Sequence, residues 1–363
     1  MLNKRKLILL ISITAAVLVI IFLCIIIITC NNKENENSAL EETSEETVIV
    51  EIEEDPTLLE ENNKQNLQEE AESNSEIRVS YQTQRPISSL SRLSRISGMG
   101  VNVNEIDPIN FENPDLDVLK QMGADIYIIS YFAGEKFYNN ADYDKALAEY
   151  TTSINRNSQF LQAYISRGNT WMKKRDYARA IEDYTRAIRL ENNRAELYNY
   201  RGFARFERGE TNLAIDDFSR ALSINRNYVD ALINRSNAYY QSGNFVKVIE
   251  DCDQIIRLEP SNAIIWNRRG SAWYRREDDD KAIRDYTEAI RLKSDYAVAW
   301  YNRGNAWYSK GDLDKALFDL NRCIALNPSA AAYTSRGNIH QRLGKQENAS
   351  ADFTAAQRLD RNR

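Results

Sequence analysis

The chain has one histidine, His340, in 363 residues. A histidine-rich metal site is thereby excluded, and a serine–histidine pair has a single conceivable base. The four cysteines, Cys24, Cys30, Cys252 and Cys323, contain no C-x-x-C spacing, and Cys252 and Cys323 are expected to be small buried apolar side chains. No glycine-rich phosphate loop, metal-ligand cluster or nucleophile–base pair is present, so no enzyme activity, metal, cofactor or small-molecule substrate is expected. The adjacent Asp216 and Asp217, and the run "EDDDK" at 277–281, imitate metal ligands. Neighbouring helical acids diverge by about 100°, however, and the run reads as an exposed turn. A basic stripe interleaved with aromatics is also missing, which argues against nucleic acid.

Charge is abundant but unevenly placed. Lys4, Arg5 and Lys6 open the chain; residues 31–76 hold sixteen Asp/Glu against Lys33 and Lys64; the total of -6 then leaves +5 on residues 77–363. Between the basic trio and the acidic stretch runs an uncharged apolar segment from Leu7 to Thr29. As a helix, those 23 residues would span about 34 Å, enough for a bilayer core and longer than a cleaved signal's apolar region. Cations on its amino-terminal side favour an extracytoplasmic location for everything that follows, periplasmic or at the cell surface. "IITC", ending at Cys30, loosely resembles a bacterial lipoprotein processing site, although threonine replaces the usual small residue. An uncleaved anchor (residues 1–30) and a lipoprotein signal with Cys30 lipidated both remain open, and either tethers the protein.

Residues 31–100 read as linker: first a self-repelling acidic spacer, then "RPISSLSRLSRIS" at 85–97. In that second part Leu90, Leu93 and Ile96 would also suit a short amphipathic helix against lipid or a partner. A lead segment with a short helix, started by Asn113, Pro114 and Asp115, is expected at 101–126.

From 127 to 361 the sequence repeats. Arg167-Gly168 recurs as Arg201-Gly202, Arg235-Ser236, Arg269-Gly270, Arg303-Gly304 and Arg336-Gly337, in steps of 34, 34, 34, 34 and 33; one period back lies Gly134. Each copy carries two helix signals separated by a turn. A large residue stands four before the glycine column (Tyr164, Tyr198, Leu232, Trp266, Trp300, Tyr333) and an aromatic three after it (Trp171, Tyr239, Trp273, Trp307, with Arg205 and His340 departing). Twelve after it come Ala146, Ala180, Ala214, Val248, Ala282, Ala316 and Ala349; sixteen after it come Tyr150, Tyr184, Phe218, Cys252, Tyr286, Leu320 and Phe353.

This pattern resembles the tetratricopeptide repeat (TPR) over about two thirds of the chain. The resemblance implies an all-α fold, a right-handed superhelical solenoid of about seven TPR helix hairpins. In it a glycine on each first helix faces a small alanine on the second, the tryptophans pack in the core, and stacking buries what one unit cannot.

Two polar columns remain. Arg167, Arg201, Arg235, Arg269, Arg303 and Arg336 are each followed sixteen residues later by an aspartate: Asp183, Asp217, Asp251, Asp285, Asp319 and Asp352. Structural Arg–Asp pairing, within a unit or across to the next, is expected over a ligand track. Asn169, Asn237, Asn305 and Asn338 follow the glycine column, with Asn234 and Asn302 three residues before two of them. Ser166, Tyr200, Arg268 and Ser335 occupy the other rungs. By the resemblance, first helices line a concave groove, so these asparagines and Arg268 are candidate contacts to an extended partner, a solvated polar face being the alternative. The family's carboxylate clamp wants a lysine where this chain has Ile165, Ile233, Tyr301 and Thr334, which disfavours a chaperone-tail receptor. The expectation is a membrane-tethered, non-enzymatic protein–protein interaction scaffold, or a lipoprotein assisting assembly of bacterial envelope machinery, with a protein or peptide partner.

Overall fold

A computed structural model of the chain describes residues 116–361 except 122. The anchor or lipoprotein signal, Cys30, both linker stretches and the start of the lead segment lie outside the described residues.

Fifteen α-helices and no strand are found among the described residues. A short lead helix, α1 (Leu116–Gln121), precedes seven hairpins. These are α2 (Ile126–Asn139) with α3 (Tyr143–Arg156), α4 (Leu161–Lys173) with α5 (Tyr177–Leu190), α6 (Ala195–Glu207) with α7 (Thr211–Ile224), and α8 (Val229–Gln241) with α9 (Phe245–Leu258). Then follow α10 (Ala263–Tyr274) with α11 (Asp279–Leu292), α12 (Ala297–Ser309) with α13 (Leu313–Leu326), and α14 (Ala330–Arg342) with α15 (Gln346–Arg361).

Local chemistry sets each hairpin. Second helices are strongly amphipathic: α5, for example, buries Ala180, Asp183, Tyr184, Ala187 and Ile188 along one stripe. Five of them start on a side chain that accepts a backbone N–H three residues on, namely Asp142, Asp176, Asn244, Asp278 and Asp312. Before each of the seven second helices the turn passes through a left-handed residue: Gly209, Gly243, Gly311 and Gly344 supply it freely in four of the units. Ala141, Arg175 and Glu277 adopt the same φ, near +60°, without that freedom, which completes the set at all seven turns.

The glycine column faces the alanine column as expected, with the Ala282 carbonyl 3.3 Å from a Cβ built at Gly270 and the Ala316 carbonyl 3.4 Å from one at Gly304, but its tightest contact is another. A Cβ at Gly134, Gly168, Gly202, Gly270 or Gly337 would meet the aromatic ring sixteen residues later at 2.6–2.7 Å, so the glycine chiefly admits a ring edge. The columns covary through this contact. Where the ring is Leu320, the clearance at Gly304 widens to 3.2 Å. Where it is Cys252, the glycine becomes Ser236, fully buried and donating its hydroxyl to the Ile233 carbonyl at 2.8 Å.

The remaining aromatics pack as the repeat pattern expects. Trp300 is buried and Trp266 half-buried, each donating its indole N–H to a loop carbonyl, Ser294 and Pro260 respectively, at 2.9 Å. Trp171, Trp273 and Trp307 lie under Arg179, Lys281 and Lys315 at 4.2–4.6 Å, so a cation covers the outer face of each ring. Cys252 and Cys323 are free and buried. Burial pushes the Cys252 thiol up to about 12, with the nearby Arg268 charge pulling the other way, so neither chemistry nor exposure makes it a nucleophile.

First helices of successive hairpins touch one another (α2 with α4, α6 with α8, α10 with α12, α12 with α14), while each second helix meets the next unit through that unit's first helix. Closer spacing of the first helices places them on the inner side of the curve. Among the described helices none is long and apolar enough to cross a membrane.

Candidate functional site

Every arginine of the repeating column is committed to structure. Arg167 donates Nε and Nη2 to Asp183 at 2.9 and 2.7 Å, and the same fork joins Arg201 to Asp217, Arg235 to Asp251, Arg269 to Asp285, Arg303 to Asp319 and Arg336 to Asp352 at 2.6–3.0 Å. Pairing is within the unit. The third donor, Nη1, reaches back to the preceding hairpin's second helix: Thr151, Thr185, Ser219, Asp253, Thr287 and Asn321 accept it at 2.6–3.3 Å. Each of the five second helices α5, α7, α9, α11 and α13 therefore carries an aspartate for its own arginine and, two residues on, an acceptor for the next. That second column has its own sequence signal, a small polar residue at constant period.

These ion pairs are shielded. The aspartate side chains are 2–7% exposed and the arginines 15–21%. Burial pushes the carboxyls of Asp183, Asp251, Asp285 and Asp319 upward, and the paired guanidinium opposes it. Burial likewise works against the charge of Arg235 and Arg269, but their aspartates outweigh it and hold both pKa values above the usual arginine value.

The asparagines divide into two groups. Asn234 and Asn302, expected on an open groove face, are buried at 6% and 8% exposure. Asn234 Nδ2 donates to Asn199 Oδ1 at 3.0 Å, and Asn302 Nδ2 to Asn267 Oδ1 at 3.1 Å, so each ties one first helix to the next. The expectation fails at these two positions because the closely spaced first helices cover them. Their partners Asn199 and Asn267 went unrecognised in the sequence, since the pairing joins adjacent columns in adjacent units, 35 residues apart. Arg268 is likewise buried, at 3% exposure, rather than open on the groove.

Asn169, Asn237, Asn305 and Asn338 are half-buried. Asn169 Oδ1 accepts the Tyr184 hydroxyl at 2.7 Å, and Ser271 and Glu135 receive Tyr286 and Tyr150 in the equivalent place. At Asn237 the facing residue is Cys252, which has no hydroxyl to give. The Asn237 carboxamide oxygen is buried and lacks a hydrogen-bond partner among the described residues. A native protein rarely leaves such an acceptor unmet without a use for it.

Around it the inner surface combines rings and carboxylates. Tyr200, Phe203, Phe206 and Tyr240 are half-buried on α6 and α8. Burial raises the Tyr200 phenol; the Arg194 charge opposes this, while Glu196 and Asp230 add to it. Asp230 is itself pushed up, first by burial and then by Glu259. Half-buried aromatic faces with hydroxyls, carboxylates and an unmet acceptor suit an extended polypeptide; no group of three or more His, Cys, Asp or Glu placed to hold a metal occurs among the described residues.

Comparison with known families and structures agrees with this architecture. The description "Tetratricopeptide repeat" matches residues 161–194, 297–329 and 330–363, and "TPR repeat" matches 202–243 and 270–311. No curated protein matches the chain. Among solved structures, a tetratricopeptide repeat protein from Parabacteroides merdae is 20% identical, covering 64% of this chain and 93% of that one, with a TM-score of 0.53. The C-terminal part of a TPR repeat-containing protein from Cytophaga hutchinsonii is 17% identical, covering 63% and 95%, with a TM-score of 0.54. YrrB, described as a TPR protein with an unusual peptide-binding site, is 20% identical over 50% of this chain and 94% of that one, with a TM-score of 0.45. At these identities the likeness to the first two is one of fold alone.

Proposed function

We propose that this chain, a member of the tetratricopeptide repeat family, presents the inner surface of its array to an extended segment of a partner protein. Repeats of this family form protein–protein interaction scaffolds, and the array is one. The observation that carries the finer reading is the Asn237 carboxamide oxygen, buried without a partner among half-buried rings on the inner side. Rotation of the half-buried Asn237 side chain on binding would bring that oxygen to a backbone N–H of the strand and leave the partner's side chains to the neighbouring rings. Binding rather than catalysis is the work of this surface.

The apolar run at 7–29 holds the array at a membrane, the spacer at 31–76 keeps it away from the lipid, and the array lies outside the cytoplasm. A second reading, a lipoprotein that assists assembly of envelope machinery, rests on Cys30 at the end of that run. Intact mass separates the two, since lipoprotein processing removes residues 1–29 and adds acyl chains.

The test of groove binding is direct. Peptides selected from a display library on the full chain in detergent micelles, then made with a photo-crosslinking residue, should attach to α6, α8 and α10. Attachment confined to second helices would contradict the proposal.

A further inference from the structure

The arginine–serine stretch at 85–97 is unexplained by the array's own architecture. From Ile77 to Asn104 the chain carries Arg78, Arg85, Arg92 and Arg95 and no acidic residue, directly after a stretch of opposite charge. Within 85–97, Leu90, Leu93 and Ile96 alternate with Arg92 and Arg95, giving apolar and cationic groups in close register.

The inner surface of the early hairpins offers the complement. Around Tyr200 the carboxylates Glu196, Asp230 and Glu259 face one guanidinium, Arg194, which lies 3.5 Å from Glu196, so the patch keeps an excess of negative charge. The half-buried rings of Phe203, Phe206 and Tyr240 flank it on the same two helices. Further along, cations stand at the ends of first helices instead, the exposed Arg275 capping α10 and the exposed Arg342 closing α14. A basic, apolar segment is therefore attracted to one half of the surface and repelled by the other.

Tether length permits the contact. Residues 98–115, eighteen in number, separate Ser97 from the start of α1. Extended, they reach about 60 Å, and as a flexible coil about 23 Å root-mean-square. From α2, α8 lies three hairpins on, about 30 Å at ordinary helix spacing.

We propose that residues 85–97 occupy the inner surface of α6 and α8 in cis, with arginines against Glu196 and Asp230 and Leu90, Leu93 and Ile96 on the rings, so that a partner must displace them. This rests on the reading of that surface as a binding groove. Tethering at roughly 1 mM effective concentration makes even a weak segment, with a Kd of about 100 μM, fill the surface about 90% of the time. A competing peptide then binds about tenfold more weakly than to an unoccupied groove.

The experiment uses the full chain in detergent micelles and the same chain with residues 85–97 replaced by a Gly/Ser segment of equal length. A fluorescent synthetic peptide of sequence RPISSLSRLSRIS is titrated onto both. The replaced chain should bind about tenfold more tightly than the intact one, and binding should disappear when it also carries Glu196→Lys and Asp230→Lys. Helical circular-dichroism melts show whether those variants keep the fold; if they do not, the single Asp230→Asn variant, with weakened binding, stands in for them. Equal affinity for intact and replaced chains, or binding to neither, overturns the proposal, as does peptide that binds anionic vesicles but not the replaced chain. Failure of the groove itself is separable: library-selected peptides would still crosslink to α6, α8 and α10 of the replaced chain if only the cis segment is wrong.

Discussion

A Cβ built on Gly168 would lie 2.7 Å from the Tyr184 ring; five units share this contact and the other two, Gly304 with Leu320 and Ser236 with Cys252, replace it. Because the ring is fully buried it cannot swing aside. Gly168→Ala should therefore cost about 2–3 kcal/mol through overpacking. Gly304→Ala, facing Leu320 at 3.2 Å, should be close to neutral because alanine's helix propensity offsets a small shift. In the fourth hairpin the logic runs backwards. Cys252→Tyr alone should destabilise against Ser236, and adding Ser236→Gly should recover at least half the loss. In that double variant the new hydroxyl should reach Asn237 as Tyr184 reaches Asn169 at 2.7 Å. Urea unfolding of the four proteins checks this; a double variant no better than Cys252→Tyr would refute it.

The arginine–aspartate forks predict an asymmetric response to mutation. Asp319 has a side chain 2% exposed, so Arg303→Met leaves a buried, unpaired carboxylate and should cost about 3 kcal/mol. Removing both charges as Arg303→Met with Asp319→Leu should bring stability back to within about 1 kcal/mol of the parent. Denaturant midpoints decide the matter, and a double variant as unstable as the single would show the fork to be worth far more than shielding and register.

His340 supplies a pH dependence of known sign. Burial lowers its pKa below the usual 6.5; Asp352, 3.9 Å away, opposes that, and Arg336 and Lys345 reinforce it. The folded state thus holds the proton less tightly than the unfolded chain. Its contribution to stability is present above pH 6.5 and is lost as pH falls through the depressed folded value. The raised carboxyls of Asp183, Asp251, Asp285 and Asp319 act oppositely and in a more acidic window, so a comparison isolates the imidazole. Between pH 7.5 and 5 the melting temperature of the parent should fall further than that of His340→Phe, which restores the aromatic of that column. Parallel curves would refute this.

Much of the fold was legible because the repeat multiplies each signal. Arg167 with Asp183 alone is a coincidence of charge, but six copies at one spacing specify a hairpin. What stayed hidden were contacts that join different columns in neighbouring units. Asn199 with Asn234, and Asn267 with Asn302, leave no single column of asparagines, and the acceptors Thr151, Ser219, Asp253 and Asn321 vary in type while keeping one role. The glycine column was legible only in part: its spacing to alanine and to the aromatic are equally regular, and only three dimensions show that the ring is the tighter of the two neighbours. At the candidate site the informative feature is a departure, Cys252 where a ring belongs, which strips Asn237 of its internal donor.

The Asn237 carboxamide is where binding and stability should separate. For a peptide selected on the full chain, the dissociation constant should rise about tenfold in Asn237→Ala, as expected for one lost hydrogen bond of about 1.4 kcal/mol. The melting temperature should hold or rise, since the substitution removes an acceptor that the folded chain leaves unmet. Unchanged affinity in Asn237→Ala, with the fold intact, would contradict a groove that takes its partner by this surface.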